Sequence, residues 1–297
     1  MKRNIQIIRI IPQGYCKGVV NAIKHIKNVL KENKYKRPYY MLGELVHNSH
    51  VTSALRDEGI ITIDNYDNIS NGSVIVTAHG LSKEDKDNII KKGLELIDAT
   101  CPEVFKIQEL IYNKIDEGYS IIYYGKTNHP ESNAILKISS DIHLITSINE
   151  IGALNINNKK LFFTNQTTMS YFETLKIVEK LKNKYPNIEV DIDICNASKL
   201  RQTAVYNKAS LCDIVLVVGD KKSNNTNKLK ELCEEQNIKS YLIENIEDLS
   251  NIDIKDNMII GITAGASTPT KLVFEVIKSL EDDEYVSTVT DKDYINF

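Results

Sequence analysis

Short apolar runs alternate along this chain with stretches of helical periodicity, and the runs end in a recurring order of polar residues. One set ends in cysteine: IQIIRIIPQGYC reaches Cys16, LELIDATC reaches Cys101 and IEVDIDIC reaches Cys195. A second set ends in glycine, in YYMLG (39–43), IIYYG (121–125) and IVLVVG (214–219). A third closes on threonine, in VIVT (74–77), LFFT (161–164) and IIGIT (259–263). Between the second and third sets lie IITI (60–63), IHLI (142–145) and SYLI (240–243). Each junction leads into a stretch with apolar positions three and four apart, such as KGVVNAIKHIKNVL after Cys16. Strands alternating with amphipathic helices predict parallel sheets covered by helices on both faces.

The three cysteines are 85 and 94 residues apart, a period that fits tandem repetition of whole domains. The expected fold is therefore α/β, with three similar small domains packed around a pseudo-threefold axis, which would bring the three thiols together as one metal site in a central cavity. The expected boundaries are 1–100 with the Cys16, His47 and His79 loops, 101–193 with those of Cys101, His129 and Thr167, and 194–282 with those of Cys195, Ser223 and Ser267. Residues 283–297 read as a polar C-terminal tail on the surface. A single (β/α)₈ barrel is the architectural rival for a chain of 297 residues.

Ligands in open α/β sheets sit beyond the carboxyl ends of the strands, so nine polar junctions, three per domain, predict one shared pocket. Four residues after Gly43, Gly125 and Gly219 come His47, His129 and Ser223, and just past the third-set threonines come His79, Thr167 and Ser267. Histidine, serine, threonine and asparagine at helix starts make an anion site, and no Walker or GxGxxG loop points to a nucleotide. Glu131 follows Pro130 in a predicted first helical turn; such a carboxylate either offsets the helix dipole at the surface or, enclosed, delivers protons.

Charge and cysteine use narrow the class. The net charge of −3 with dispersed lysines argues against a nucleic-acid partner. No apolar run approaches a membrane span. The basic start MKRN is followed by an apolar run that Arg9 interrupts, which argues against a signal peptide. Five cysteines without an export signal fit a reducing cytoplasm. Cys212 opens a strand-like run and Cys233 lies in a helical pattern, and both read as buried structural thiols. Cys16, Cys101 and Cys195 share one kind of junction and read as metal ligands. Zinc favours close cysteine pairs and a fourth protein ligand; three widely spaced thiolates suit an iron–sulfur cluster whose fourth iron is left open as a Lewis acid.

The ordered motifs GYCKGV (14–19), LVHN (45–48), TAHG (77–80), DATCP (98–102), HPE (129–131), QTT (166–168), CNASKLRQ (195–202), NNTNKL (224–229) and TAGASTP (263–269) resemble the 4-hydroxy-3-methylbut-2-enyl diphosphate reductase family of the non-mevalonate isoprenoid route. The resemblance spans nearly the whole chain. It implies a three-domain cloverleaf holding one [4Fe–4S] cluster on Cys16, Cys101 and Cys195. It also implies a two-electron, two-proton removal of the allylic hydroxyl as water, with a ferredoxin or flavodoxin as separate electron donor. Glu131 is implied as proton source and Thr167 as a group that positions the hydroxyl. His47, His79, His129, Ser223, Asn224, Asn225 and Ser267 are implied around the diphosphate. Tyr15, Lys17, Asn165, Ser198 and Asn224 depart from the usual family pattern; Asn224 stands where a second serine is common. The rivals are another three-cysteine cluster enzyme such as quinolinate synthase, a dehydratase without net reduction, and a non-catalytic iron–sulfur or zinc sensor.

Overall fold

The computed structural model describes residues 4–282 and 284–296. The basic start, residues 1–3, and positions 283 and 297 of the expected tail lie outside the described residues.

Twelve strands form among the described residues: β1 (Gln6–Arg9), β2 (Tyr39–Leu42), β3 (Ile60–Ile63), β4 (Ser73–Val76), β5 (Glu95–Asp98), β6 (Ser120–Tyr124), β7 (Ile142–Ile145), β8 (Leu161–Asn165), β9 (Glu189–Val190), β10 (Ile214–Val218), β11 (Lys239–Ile243) and β12 (Ile259–Ala264). They make three four-stranded sheets, ordered β3-β2-β4-β5, β7-β6-β8-β9 and β11-β10-β12-β1, in which every pairing is parallel. The order is the same in all three: the inter-junction run at one edge, then the glycine strand, then the third-set strand, then the strand leading to a cysteine.

This order corrects the phase of the repeat. The cysteine strand comes last in each sheet, and β1, the strand before Cys16, completes the sheet of β10 and β12, with Gln6 opposite Ile259 and Arg9 opposite Ile262. The expected first domain, 1–100, therefore does not follow the sheets. The chain divides into two compact units. One comprises Met1–Val20, Val46–Gly59 and Asn196–Phe297; the other comprises Asn21–Leu45 and Ile60–Cys195 and carries the two remaining sheets. The helix between β2 and β3, Ser49–Asp57, belongs to the first of these units, whereas both strands that flank it in sequence belong to the second.

Alternation along each strand decides which helix it meets. In β6, Ile121 and Tyr123 pack with Phe162 against Ile107, Ile111 and Ile135, while Ile122 and Tyr124 pack with Phe163 against Ile177 and Leu181. β6 thus meets helices on both of its faces, so its polar chemistry is pushed to its ends. In the third sheet Leu216, Val218, Ile260 and Ile262 pack against Leu272, Val276 and Leu280 of the helix Thr270–Glu281. Tyr294 joins this core, and Tyr294 and Ile295 are buried. Within the expected surface tail, then, Tyr294 and Ile295 are docked, while residues 284–290 alternate between exposed and part-buried.

Candidate functional site

The three cysteine turns are built alike. The N–H of Cys101 donates to Ala78 O at 3.0 Å, that of Cys195 to Thr167 O at 3.0 Å and that of Cys16 to Ala266 O at 2.9 Å. Each acceptor lies two residues beyond the end of the neighbouring strand, β4, β8 or β12. A helix begins at the next residue in every case: Lys17–Glu32, Pro102–Asp116 and Asn196–Lys208. Helix N-termini suit a sulfur that carries negative charge, and the Val19 N–H points at Cys16 Sγ at 3.4 Å. None of the three is in a disulfide and all are half-buried, whereas Cys212 and Cys233, also outside any disulfide, are buried. Burial pushes the Cys212 thiol up and that of Cys233 up to about 12, which makes poor ligands of both. Each of the three cysteines thus has the chemistry and the backbone setting of a soft thiolate ligand.

The same bonds correct the third junction. Residues 78, 167 and 266 are counterparts, so their successors His79, Thr168 and Ser267 are counterparts too. Thr168 therefore takes the place that the sequence reading gave to Thr167. The second-junction alignment holds: Gly43, Gly125 and Gly219 donate to Ile63, Ile145 and Ile243 O, the last residue of the neighbouring edge strand. Four residues on, His129 and Ser223 cap the helices Pro130–Leu136 and Asn224–Glu235. The capping residue in the corresponding loop is Asn48, one residue past His47.

In the unit with two sheets, Glu131 is the informative residue. Pro130 opens its helix, and Glu131 is turned inward and only 2% exposed, which removes the reading of a surface carboxylate. Its Oε1 accepts from Thr167 N at 2.8 Å and its Oε2 from Thr167 Oγ1 at 2.9 Å. Desolvation raises its pKa from 4.5 to about 7, while the two Thr167 hydrogen bonds pull it back down. Such a carboxyl holds and releases a proton near neutrality. Beside it, His129 Nδ1 accepts from the Glu131 N–H at 3.2 Å, so the neutral ring carries its proton on Nε2. The rings of His129 and His79 meet edge to face at 5.3 Å. Gln166, which the sequence reading passed over, braces this corner: its Oε1 accepts from Lys126 N and Ser132 Oγ, and its Nε2 donates to Thr168 Oγ1. Its signal was present in the QTT motif. Asn165, a departure from the family pattern, bonds Asp193 N through Oδ1 and Gln166 O through Nδ2, joining β8 to the approach to Cys195.

The other unit gathers the remaining hydroxyl and amide groups. Asn225 donates from Nδ2 to Ser198 Oγ at 2.8 Å and accepts at Oδ1 from Ala266 N at 3.0 Å. The smaller Ser198 thus still supplies a hydroxyl acceptor. Ser267 Oγ donates to His47 O at 3.0 Å and lies 3.5 Å from Ser223 Oγ. Ser223, Asn224 and Asn225 are all buried in the first turn of one helix, where backbone N–H groups favour an anion. Arg201, also unforeseen, is 3% exposed and donates to Gly14 O and Ala197 O. Lys17 is exposed and takes no part in these contacts.

Three parallel sheets of one order, each closed by a cysteine turn, define the class as a three-domain α/β protein. Residues 7–281 match the family described as LytB protein. A relative from Geobacillus kaustophilus (strain HTA426), named 4-hydroxy-3-methylbut-2-enyl diphosphate reductase, is 44% identical over 93% of this chain and 90% of its own length. One of the same name from Anoxybacillus flavithermus (strain DSM 21510 / WK1) is 43% identical over the same shares. The solved E-1-hydroxy-2-methyl-but-2-enyl-4-diphosphate reductase from Plasmodium falciparum is similar with a TM-score of 0.88 and 33% identity, over 99% of this chain and 91% of that one. A second solved structure, titled (E)-4-hydroxy-3-methyl-but-2-enyl diphosphate reductase, the terminal enzyme of the non-mevalonate pathway, gives 0.64 and 30% over 94% and 98%. The chain belongs to the LytB protein family, and these relatives are oxidoreductases by name. Among the described residues no helix is long and apolar enough to cross a membrane.

Proposed function

We propose that this chain reduces (E)-4-hydroxy-3-methylbut-2-enyl diphosphate to isopentenyl and dimethylallyl diphosphates. The allylic C–O bond breaks, two electrons and two protons are taken up, and the oxygen leaves as water. Cys16, Cys101 and Cys195 would hold a [4Fe–4S] cluster, which would supply one-electron transfer and Lewis-acid chemistry there. The observation that carries the reading is Glu131: a buried carboxyl, gripped through both oxygens by Thr167 and raised to about 7.

Glu131 stores a proton at a carboxyl oxygen and gives it to the departing hydroxyl. Thr167 fixes the carboxyl's orientation through its N–H and, as a hydroxyl, also serves to orient the substrate alcohol. Ser223, Asn224, Asn225 and Ser267, with His47, His79 and His129, bind the diphosphate through side-chain donors and helix N–H groups. Binding energy spent on the phosphates then holds the reacting carbon in place. A ferredoxin or flavodoxin delivers the electrons. Five cysteines, none in a disulfide, are consistent with work in a reducing cytoplasm.

The test is anaerobic turnover. Protein reconstituted with iron and sulfide is given reduced donor and the hydroxylated diphosphate, and the two isomeric products are quantified by mass spectrometry. A cluster-loaded preparation that leaves the substrate unconverted refutes the proposal. Metal and sulfide analysis identifies zinc in place of a cluster.

A further inference from the structure

The Cys16 turn is tied to the opposite end of the chain. Residues 284–290 lead into a four-residue helix, Asp291–Tyr294. Four residues are far too few for an isolated helix, so this one exists because it is docked. The Tyr294 hydroxyl donates to the buried Glu275, which also accepts from Ser287. The Tyr294 ring meets that of His50 edge to face at 4.9 Å. His50 contacts Asp291 Oδ1 through Nδ1 at 2.7 Å and Glu244 O through Nε2 at 3.3 Å. Thr290 and Asp293 close a capping box at the helix start.

From this anchored helix the carbonyl of Tyr294 accepts a hydrogen bond from Tyr15 Oη at 3.1 Å. Tyr15 immediately precedes Cys16. The same turn is held by Arg201 on Gly14 O and by Ala266 O on Cys16 N. Gly14 has φ +73°, and a Cβ there would lie 2.5 Å from Thr270 Oγ1. The residues before the other two cysteines are placed differently: Thr100 bonds Asp98 two residues away, and Ile194 packs in the core of its own sheet.

We propose that the C-terminal helix is a clasp that positions the Cys16 thiol, with Tyr15 as the positioning residue that joins the two. This deepens the reading above and rests on Cys16 being a cluster ligand. The clasp selects one thiol of the three, so its loss frees Cys16 alone.

The test uses Tyr15→Phe, which keeps the ring and removes the hydroxyl, and Asp291→Asn, which weakens the clasp from its far side. Cluster-free full-length protein is pulsed with iodoacetamide, and the alkylation rates of Cys16, Cys101 and Cys195 are read by peptide mass spectrometry. Losing the part-buried Tyr15 hydrogen bond should speed Cys16 by roughly fivefold in Tyr15→Phe, and by less in Asp291→Asn, with Cys101 and Cys195 unchanged. In loaded protein the brown absorbance should bleach faster under a ferrous chelator by a similar factor. A Cys16 rate unaltered in Tyr15→Phe, or all three rates rising together, overturns the clasp. The ligand reading fails separately, if loading wild-type protein does not shield Cys16 from alkylation.

Discussion

Replacing Glu131 by glutamine separates the proton from the shape of the side chain. Glutamine keeps both contacts, because its Oε1 still accepts from Thr167 N and its amide donates to Thr167 Oγ1, which then serves as acceptor. The fold is therefore retained, and what disappears is ionisation. In the folded protein the carboxyl sits at about 7 against an ordinary 4.5, a difference on the order of 3 kcal/mol at about 1.4 kcal/mol per pH unit. A raised carboxyl favours the folded state fully below its unfolded pKa, and that contribution drains away as pH climbs through the folded value. Wild-type protein, cluster-free, should thus lose stability relative to Glu131→Gln between pH 4.5 and about 8. Urea unfolding at both ends of that window reads the widening gap. Turnover of the loaded variant should fall by about 10² to 10⁴, the usual contribution of a positioned acid. A variant within about tenfold of wild-type rates, or a stability difference that is flat with pH, refutes the argument.

Thr167→Val removes the hydroxyl that stabilises the ionised carboxyl at Oε2, so Glu131 should hold its proton more tightly and the alkaline limb of the pH–rate profile should move to higher pH. Cys16→Ser, Cys101→Ser and Cys195→Ser should each lose or weaken the cluster absorbance, while Cys212→Ser and Cys233→Ser, at buried positions, should retain it. Asn225→Ala strands the Ala266 N–H and removes a donor to Ser198 Oγ; the expected cost is about 1–3 kcal/mol, seen in denaturation, with a raised KM for the diphosphate substrate.

The elements were legible because local periodicity encodes them. Runs such as IIYYG and IVLVVG announce buried parallel strands, and the positions of Gly43, Gly125 and Gly219 identify equivalent turns without coordinates. Cys16, Cys101 and Cys195 were recognisable together because each closes such a run just before a helix. Strand partners were not legible in the same way. The run before Cys16 lies next to the first glycine strand in sequence, yet it pairs with β12, some 250 residues distant, because a parallel edge strand needs only a matching neighbour and chain order does not name it.

Counting residues past a threonine also misled. Thr77 stands two positions further along its strand than Thr164 and Thr263 stand on theirs, and only the bonds from the cysteine N–H groups reveal the offset that makes Thr168 the partner of His79 and Ser267. For Glu131 the sequence alone allowed either surface or interior; burial against Thr167, and hence a proton held near neutrality, came from packing between a loop and a helix 36 residues apart. The polar C-terminus likewise became a docked helix through Glu275, His50 and Tyr15. Sequence by itself determined the kinds of elements, their faces and the chemical types at their ends, since those depend on neighbours along the chain. Tertiary structure decided which ends meet and which polar groups are dry, since desolvation and strand pairing depend on residues far apart in sequence.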